Sequence, residues 1–427
     1  MARESPNNPR NWAQWKKNAH ILMVPFHSMI ATLMAAGIIP AYDMMAEEYN
    51  VTVPEASYLT SIQILLLGLC PFIWKPITSI YGRYHVFLFS VLESMVCNIG
   101  GARCTTYEAQ MATRILTSIL ISPPIGIGSG VITELCEPEK RAQKLGWWML
   151  MITLGTPSGP FIIGFVTKHI GIEWIFWIFA IINLVQFIAH MALGAETMYL
   201  PEFDNFLRAG EAKKGVFDKL IPRRLDSRSL KTREFIEPIF LCRHYAVLIP
   251  AVAHSIIFCY GNIMLIVEMP IAFGEKFDFD AQQIGLQFIA IIIGCLLGEQ
   301  LSGPLSDFFL RSLSKRKGYT RPLDKAQSWD VTPCIGAAIA SFGNQVITTI
   351  LISFAVDSYK EKSTNVGVCI NLFRHIYGFI GTFYFPSMFE SLQFAGAAGV
   401  MCAIIGACAL VPIIAVQFAA SRSTHQV

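Results

Sequence analysis

Long apolar runs separated by short polar segments dominate the chain, and about 20 apolar residues are enough to cross a bilayer as one helix. Eleven such runs are present, at 20–41, 58–74, 85–101, 109–131, 145–166, 174–193, 245–273, 283–301, 332–356, 366–388 and 395–418. Backbone polar groups left unpaired in lipid are costly, so each run is expected to be helical. The pattern predicts an all-α, polytopic membrane protein with about 11 transmembrane helices. Its expected divisions are a polar tail (1–19), six spans (20–193), a basic linker (194–242), about five spans (243–420) and a short tail (421–427).

Charge sets the expected orientation. Ten Lys or Arg lie from Arg208 to Arg243 and six from Arg311 to Lys325. Basic loops stay on the cytosolic side, which puts the N-terminus (Arg3, Arg10, Lys16, Lys17) and the loop from Lys75 to Arg83 inside. Six crossings before the linker satisfy that rule, and a plasma-membrane protein with a cytosolic N-terminus is the expectation. The loop after the first run lacks Lys and Arg and carries Asn50-Val51-Thr52, a glycosylation sequon usable only on the outer or lumenal side. Eleven crossings from an internal N-terminus, however, put Lys360 and Lys362 outside, against the charge rule. The conflict traces to residues 323–329.

Composition excludes several classes. With 53% hydrophobic and 15% charged residues and a mean hydropathy of +0.49, the chain is too apolar for an ordinary soluble protein. A net charge of +3, spread over loops, gives no nucleic-acid face. The 11 cysteines sit mostly singly in apolar runs with no C-x-x-C, so neither a metal site nor a disulfide framework is expected. No phosphate-binding loop of the G-x-x-x-x-G-K-[ST] type is present, so ATP-driven pumping is not expected. No catalytic triad or zinc spacing stands out, and neither an enzyme nor a cofactor is expected. The glycines from Gly126 to Gly130 follow Pro123 and Pro124 inside an apolar run and read as helix packing.

The segment 154–165, LGTPSGPFIIGF, sets Gly155, Pro157, Gly159, Pro160 and Gly164 inside the fifth run. Small residues at such spacing let helices approach closely, and the segment reads either as a packing seam or as a hinge and seal. Gly155-x-x-x-Gly159-Pro160-x-x-x-Gly164 resembles the antiporter motif of the major facilitator superfamily. That family has two six-span halves around a midplane cavity, each built from inverted three-span repeats. Its loop between spans two and three reads G-x-L-x-D-R-x-G-R; here KPITSIYGR matches at Gly82 and Arg83, while Ser79 and Ile80 replace the acidic and basic pair. After span eight, Gly303, Leu305, Asp307 and Arg311 match the same motif. Arg114 falls where the family places a fourth-span arginine associated with proton coupling. NPRNW before the first span, Gly298-Glu299-Gln300 and the long basic linker resemble the fungal drug:proton antiporter-like branch. Set against it, 319–330 passes straight from the loop after span eight to the tenth span, so the ninth span is missing. Either the later helices keep the family packing, with the loop crossing back through protein, or the last three spans invert.

An ionisable side chain at the centre of a span costs about 2.5–3.5 kcal/mol, which makes each one a candidate. The proton-coupling candidates are Arg114, Glu93 and Glu268. Arg114 is expected to stabilise a proton-bearing carboxylate or a backbone carbonyl, and Glu268 either binds a proton or cation or snorkels to the outer boundary. Asn371, Arg374 and Gly378 share one helix face at i, i+3, i+7 spacing and are expected to look into the bundle, at substrate or gate, or else to tie the last helices together. Asn344, Gln345 and His27 complete the cavity or gate candidates. His27 and His254 are possible proton relays because histidine titrates near neutral pH. Asp43 and Glu299 are expected at span ends. Together these features predict a secondary transporter that exports a small amphipathic or cationic solute in exchange for protons, its partners being that solute, protons and the bilayer. The alternatives are proton-coupled uptake of a polyamine-like cation and a non-transporting truncated isoform or sensor.

Overall fold

The computed structural model describes residues 8–198, 224–226, 230–312 and 331–414, and among these only helices and turns occur. The first crossing is α1 (Gln14–Gly37), continued by a 3₁₀ turn at Ile39–Ala41 and the short α2 (Tyr42–Tyr49). Asn50, in the left-handed region at φ 53°, ends α2. Thr52 then starts α3 (Val53–Leu69) with a capping box, its hydroxyl and Glu55 satisfying one another's backbone amides. The second crossing bends by 44° between α3 and α4 (Pro71–Tyr81). Next come α5 (Arg83–Gly101), α6 (Tyr107–Ile121) joined to α7 (Pro123–Leu135), α8 (Pro138–His169) and α9 (Ile172–Leu193). Despite Pro157 and Pro160, α8 continues through 32 residues.

After the linker, α10 (Thr232–Phe240) leads to α11 (Tyr245–Phe258), a π turn at Cys259–Ile263 and α12 (Met264–Phe277). The remaining helices are α13 (Ala281–Ser312), α14 (Thr332–Ser358) and α15 (Ser363–Ile404), the last broken at Gln393 (φ 56°, ψ 174°). Among the described residues, eight helical stretches are long and apolar enough to cross a membrane, or nine if the bent pair is one span. The stretch Lys360–Ile414 counts once at 55 residues, more than twice what a crossing takes. The expected runs at 366–388 and 395–418 begin on opposite sides of its break. The helix α5 is a further 19 residues, its hydropathy lowered by Arg83 and Glu93.

Polarity within the helices is inverted relative to a soluble protein. On α9 the buried stripe is Asn183, Gln186 and His190, at i, i+3, i+7, while Ile181, Leu184, Val185 and Ile188 are exposed. On α5 Ser90, Ser94 and Asn98 are buried and Phe89 and Val96 exposed. Apolar side chains face lipid, and polar ones face protein partners that satisfy them. The chain is a multi-pass membrane protein.

Glycines set the closest helix pairs. An added Cβ at Gly159 would press on the Leu33 carbonyl and lie 2.9 Å from Gly37 Cα, so α1 and α8 touch backbone to backbone. One at Gly164 would lie 2.5 Å from the Ala281 carbonyl and 3.2 Å from Gly285 Cα, which seams α8 to α13.

Helices α13 and α14 run in the same direction. Cys334 bonds Gln287 at 2.9 Å, Gly294 lies against Ala338, Gly298 against Phe342, and Glu299 accepts from Gln345 (3.0 Å) and Thr349 (2.7 Å). This parallel setting bears on the conflict between crossing count and charge rule over Lys362. Glu237 of α10 takes both Lys75 (2.7 Å) and Lys362 (3.2 Å), so Lys362 lies at the same basic end of the bundle as the loop after α4. The last helices therefore keep their direction rather than inverting.

Candidate functional site

Five crossings converge on a small cavity. Its polar lining consists of Thr32 (α1), Thr60 (α3), Thr156 (α8), Arg374 and His375 (α15), with Phe258 of α11 and aliphatic side chains completing the wall. At about 30 Å³ it has room for two waters or so. Anything larger enters only when helices move.

Arg374 is the charged group of this cavity. It is 0% exposed, and its Cζ lies 4.6 Å from the centre of the Phe258 ring, a cation–π distance. Its Nη2 lies 3.5 Å from His375 Nε2, while Nε and Nη1 have no hydrogen-bond partner. His375 places Nδ1 2.8 Å from the Asn371 carbonyl. A carbonyl only accepts, so Nδ1 carries the proton, and Nε2 of the neutral ring presents its lone pair toward Arg374. Asn371 donates to the Ile125 carbonyl at 2.7 Å, tying α15 to α7. The face of Asn371, Arg374 and Gly378 thus looks into the bundle.

Both ends of the cavity are shut. At the basic end Ser129 donates to the Ser363 carbonyl at 3.2 Å, and Arg83 donates to both oxygens of Glu134, one at 2.8 Å. Gly82, at φ 82°, brings Glu196 onto the Tyr84 amide at 3.1 Å. Beside them stands the Lys75–Glu237–Lys362 bridge. Burial alone would raise the Glu237 carboxyl, but bonds from Lys75, then Asn365 and Lys362, hold it down at about 2. At the opposite end Lys168 bridges Asp280 at 2.7 Å. The helix α13 includes Gly303, Asp307 and Arg311, whose side chains lie outside the described residues.

Other candidates are dispersed. Arg114, 1% exposed, lies in the N-terminal helices and donates through Nη2 to the Met34 (2.8 Å) and Ala35 (3.4 Å) carbonyls at the end of α1. Of its two expected roles, this is the carbonyl one. Glu93 is half-buried on the α5 face that carries exposed Phe89 and Val96, away from the cavity. Glu268 of α12 is buried, but its neighbours Ile266 and Val267 line the cavity in its place. Gln345 serves Glu299, Asn344 packs on Gly261 beside the π turn, and His254 pairs with Thr348 at 3.2 Å. Asn50 is exposed.

His27 stands apart from the cavity in a chain of histidines that sequence reading saw only in part. His27 Nδ1 lies 3.2 Å from His190 Nε2, and its Nε2 lies 3.3 Å from Ser90 Oγ. His190 and His20 line one small cavity, of about 10 Å³, near Arg83 and Thr197, the volume of about one water. The polar stripe of Asn183, Gln186 and His190 was the available signal. Glu134, by contrast, is paired with Arg83 only by the fold.

Residues 26–317 match the family model of the Major Facilitator Superfamily. The chain is 26% identical to the probable efflux pump mfs2 of Aspergillus flavus, over 83% of this chain and 90% of that protein. It is also 26% identical to the MFS-type transporter phm3 of a Pyrenochaetopsis species, over 96% and 90%. It is 24% identical to the MFS transporter fsa7 of a Fusarium strain, over 86% and 77%. The crystal structure of the human organic anion transporter MFSD10 shares the fold with a TM-score of 0.56 at 14% identity, over 93% of this chain and 99% of that one.

Proposed function

The chain belongs to the Major Facilitator Superfamily, and from that premise we propose that this transporter exports a small amphipathic solute in exchange for protons. The observation that carries the proposal is the small cavity between the α1–α9 and α11–α15 helices, with backbone-close seams on α8 and polar contacts across the two groups at both ends. Two groups of helices meeting on such a cavity suit alternating access, in which one latch opens while the other holds. Export follows from the glycine pattern of α8 and from a relative named as a probable efflux pump. The basic end is proposed to be cytosolic and the membrane to be the plasma membrane.

For the proton, the reading moves from Arg114, Glu93 and Glu268 to the His27–His190 pair. Arg114 turns its Nη2 to carbonyls and does not line the cavity, and Glu93 shares a face with exposed apolar groups. The imidazoles, 3.2 Å apart, cannot both be charged without strong repulsion. They therefore suit a single proton, reached from the basic end past His20.

The test is purified protein in liposomes, loaded with a panel of lipophilic dyes and given a pH gradient. Gradient-driven flux that becomes pH-independent in His190→Gln, with solute exchange retained, is the expected result; flux insensitive to the gradient in the unaltered protein removes proton coupling. A second, non-transporting reading is favoured by one observation, the parallel α13 and α14. The 19 residues between them, 313–331, carry seven charged side chains, unlike an apolar span. Folded protein that moves no solute would select that reading.

A further inference from the structure

The central cavity holds a charge without a counter-charge. Among the described residues, no carboxylate forms an ion pair with Arg374, and two of its three guanidinium nitrogens have no hydrogen-bond partner. The elements around it supply hydroxyls from Thr32, Thr60 and Thr156, the Phe258 ring, and two imidazoles, His375 and His254. None of these is an anion. His375, fixed as the neutral tautomer by Asn371, offers only a lone pair. An uncompensated charge in such a place is strongly unfavourable, and a bundle retains it where a ligand completes it.

We propose that Arg374 is the counter-charge for an acidic solute, so that the transported molecule carries a carboxylate or comparable anionic group on an apolar body. The guanidinium has Nε and Nη1 unpaired, so each can donate a charge-assisted hydrogen bond to a carboxylate, and the Thr60 hydroxyl, which accepts from Tyr42, keeps its own proton for an outer lone pair. The apolar walls from α1, α3 and α12 receive the rest of the molecule. A cationic solute would meet an unscreened like charge there. The inference rests on the transport reading for its direction and cycle, but the anion site itself is a binding property.

The experiment separates the two. Binding of an arylalkyl monocarboxylate, its primary amide and the matching amine is measured on the purified full chain by tryptophan fluorescence, and flux of the same three probes is measured in liposomes. The carboxylate is expected to bind at least tenfold more tightly than the amide, and the amine least. Arg374→Met should erase the carboxylate preference, and Arg374→Lys should keep part of it, which shows that charge rather than folding is at stake. Equal binding of carboxylate and amide, or an undiminished preference in Arg374→Met, overturns the anion site. Preference without flux keeps the anion site and removes the transport reading; flux of the amine without preference does the reverse.

Discussion

Arg114 and Arg374 are both buried arginines in crossing helices, one in each group of helices, yet their surroundings are opposite. Arg114 gives its Nη2 to two carbonyls where α1 ends, the place where a helix leaves acceptors unsatisfied, while its Nε and Nη1 have no partner. Arg374 stands at a cavity with two nitrogens unpaired, against a phenylalanine and a neutral imidazole. The same residue type thus closes a helix end in one region and waits for a partner in the other. The difference teaches that neither burial nor unmet hydrogen bonds alone mark a working arginine, since both leave Nε and Nη1 unpaired; a place on the cavity wall does.

The sharpest way to break this comparison is to remove each charge in turn. Arg114→Met leaves the Met34 carbonyl without its donor and should cost about 1.5–3 kcal/mol, seen as a lower melting temperature in detergent, with flux per folded molecule little changed. Arg374→Met removes an uncompensated charge, so its melting temperature should hold or rise, while flux falls at least tenfold. Equal melting losses in the two variants would end the distinction.

Smaller effects sharpen it at the edges. Gly159→Ala sets a methyl against the Leu33 carbonyl and should destabilise by about 1–3 kcal/mol, measurable as a melting shift independent of either arginine. At the basic end, Glu237 is held at about 2, below its usual value near 4.3. A depressed carboxyl contributes stability fully above the unfolded value and loses it as pH falls from about 4.5 toward 2. The Lys75–Glu237–Lys362 bridge should therefore be constant from pH 5 to 8, and any pH dependence of flux in that window lies elsewhere. Glu237→Gln should raise cysteine labelling at an introduced Thr364→Cys about threefold without moving the pH profile. Lys168→Gln, at an exposed pair, should change stability by less than about 0.5 kcal/mol, with flux unaltered.

Much of this was legible in the chain. The α8 glycines announce close packing because small residues have no other use in an apolar run, and Asn371, Arg374 and Gly378 share a face by helical period alone. The cavity was not legible, because Thr32, Thr60, Thr156 and Phe258 come from four separate helices, and an isolated threonine in an apolar run carries no signal. The direction of Glu93 was not legible, because depth along a helix says nothing about direction around it; exposed Phe89 and Val96 give that direction. The side of Lys362 stayed in conflict because strict alternation of crossings opposed the charge rule, and α13 and α14 do not alternate.

That parallel pair has a consequence for biosynthesis. Apolar segments leaving the ribosome are laid into the membrane in alternating directions, so α14 following α13 directly would start antiparallel to it. Its parallel setting therefore does not follow from order of insertion alone, and the charge rule, which acts on the loops, is the other influence on it. The final helices are consequently the part of the molecule whose orientation packing against α13, rather than order along the chain, has to fix.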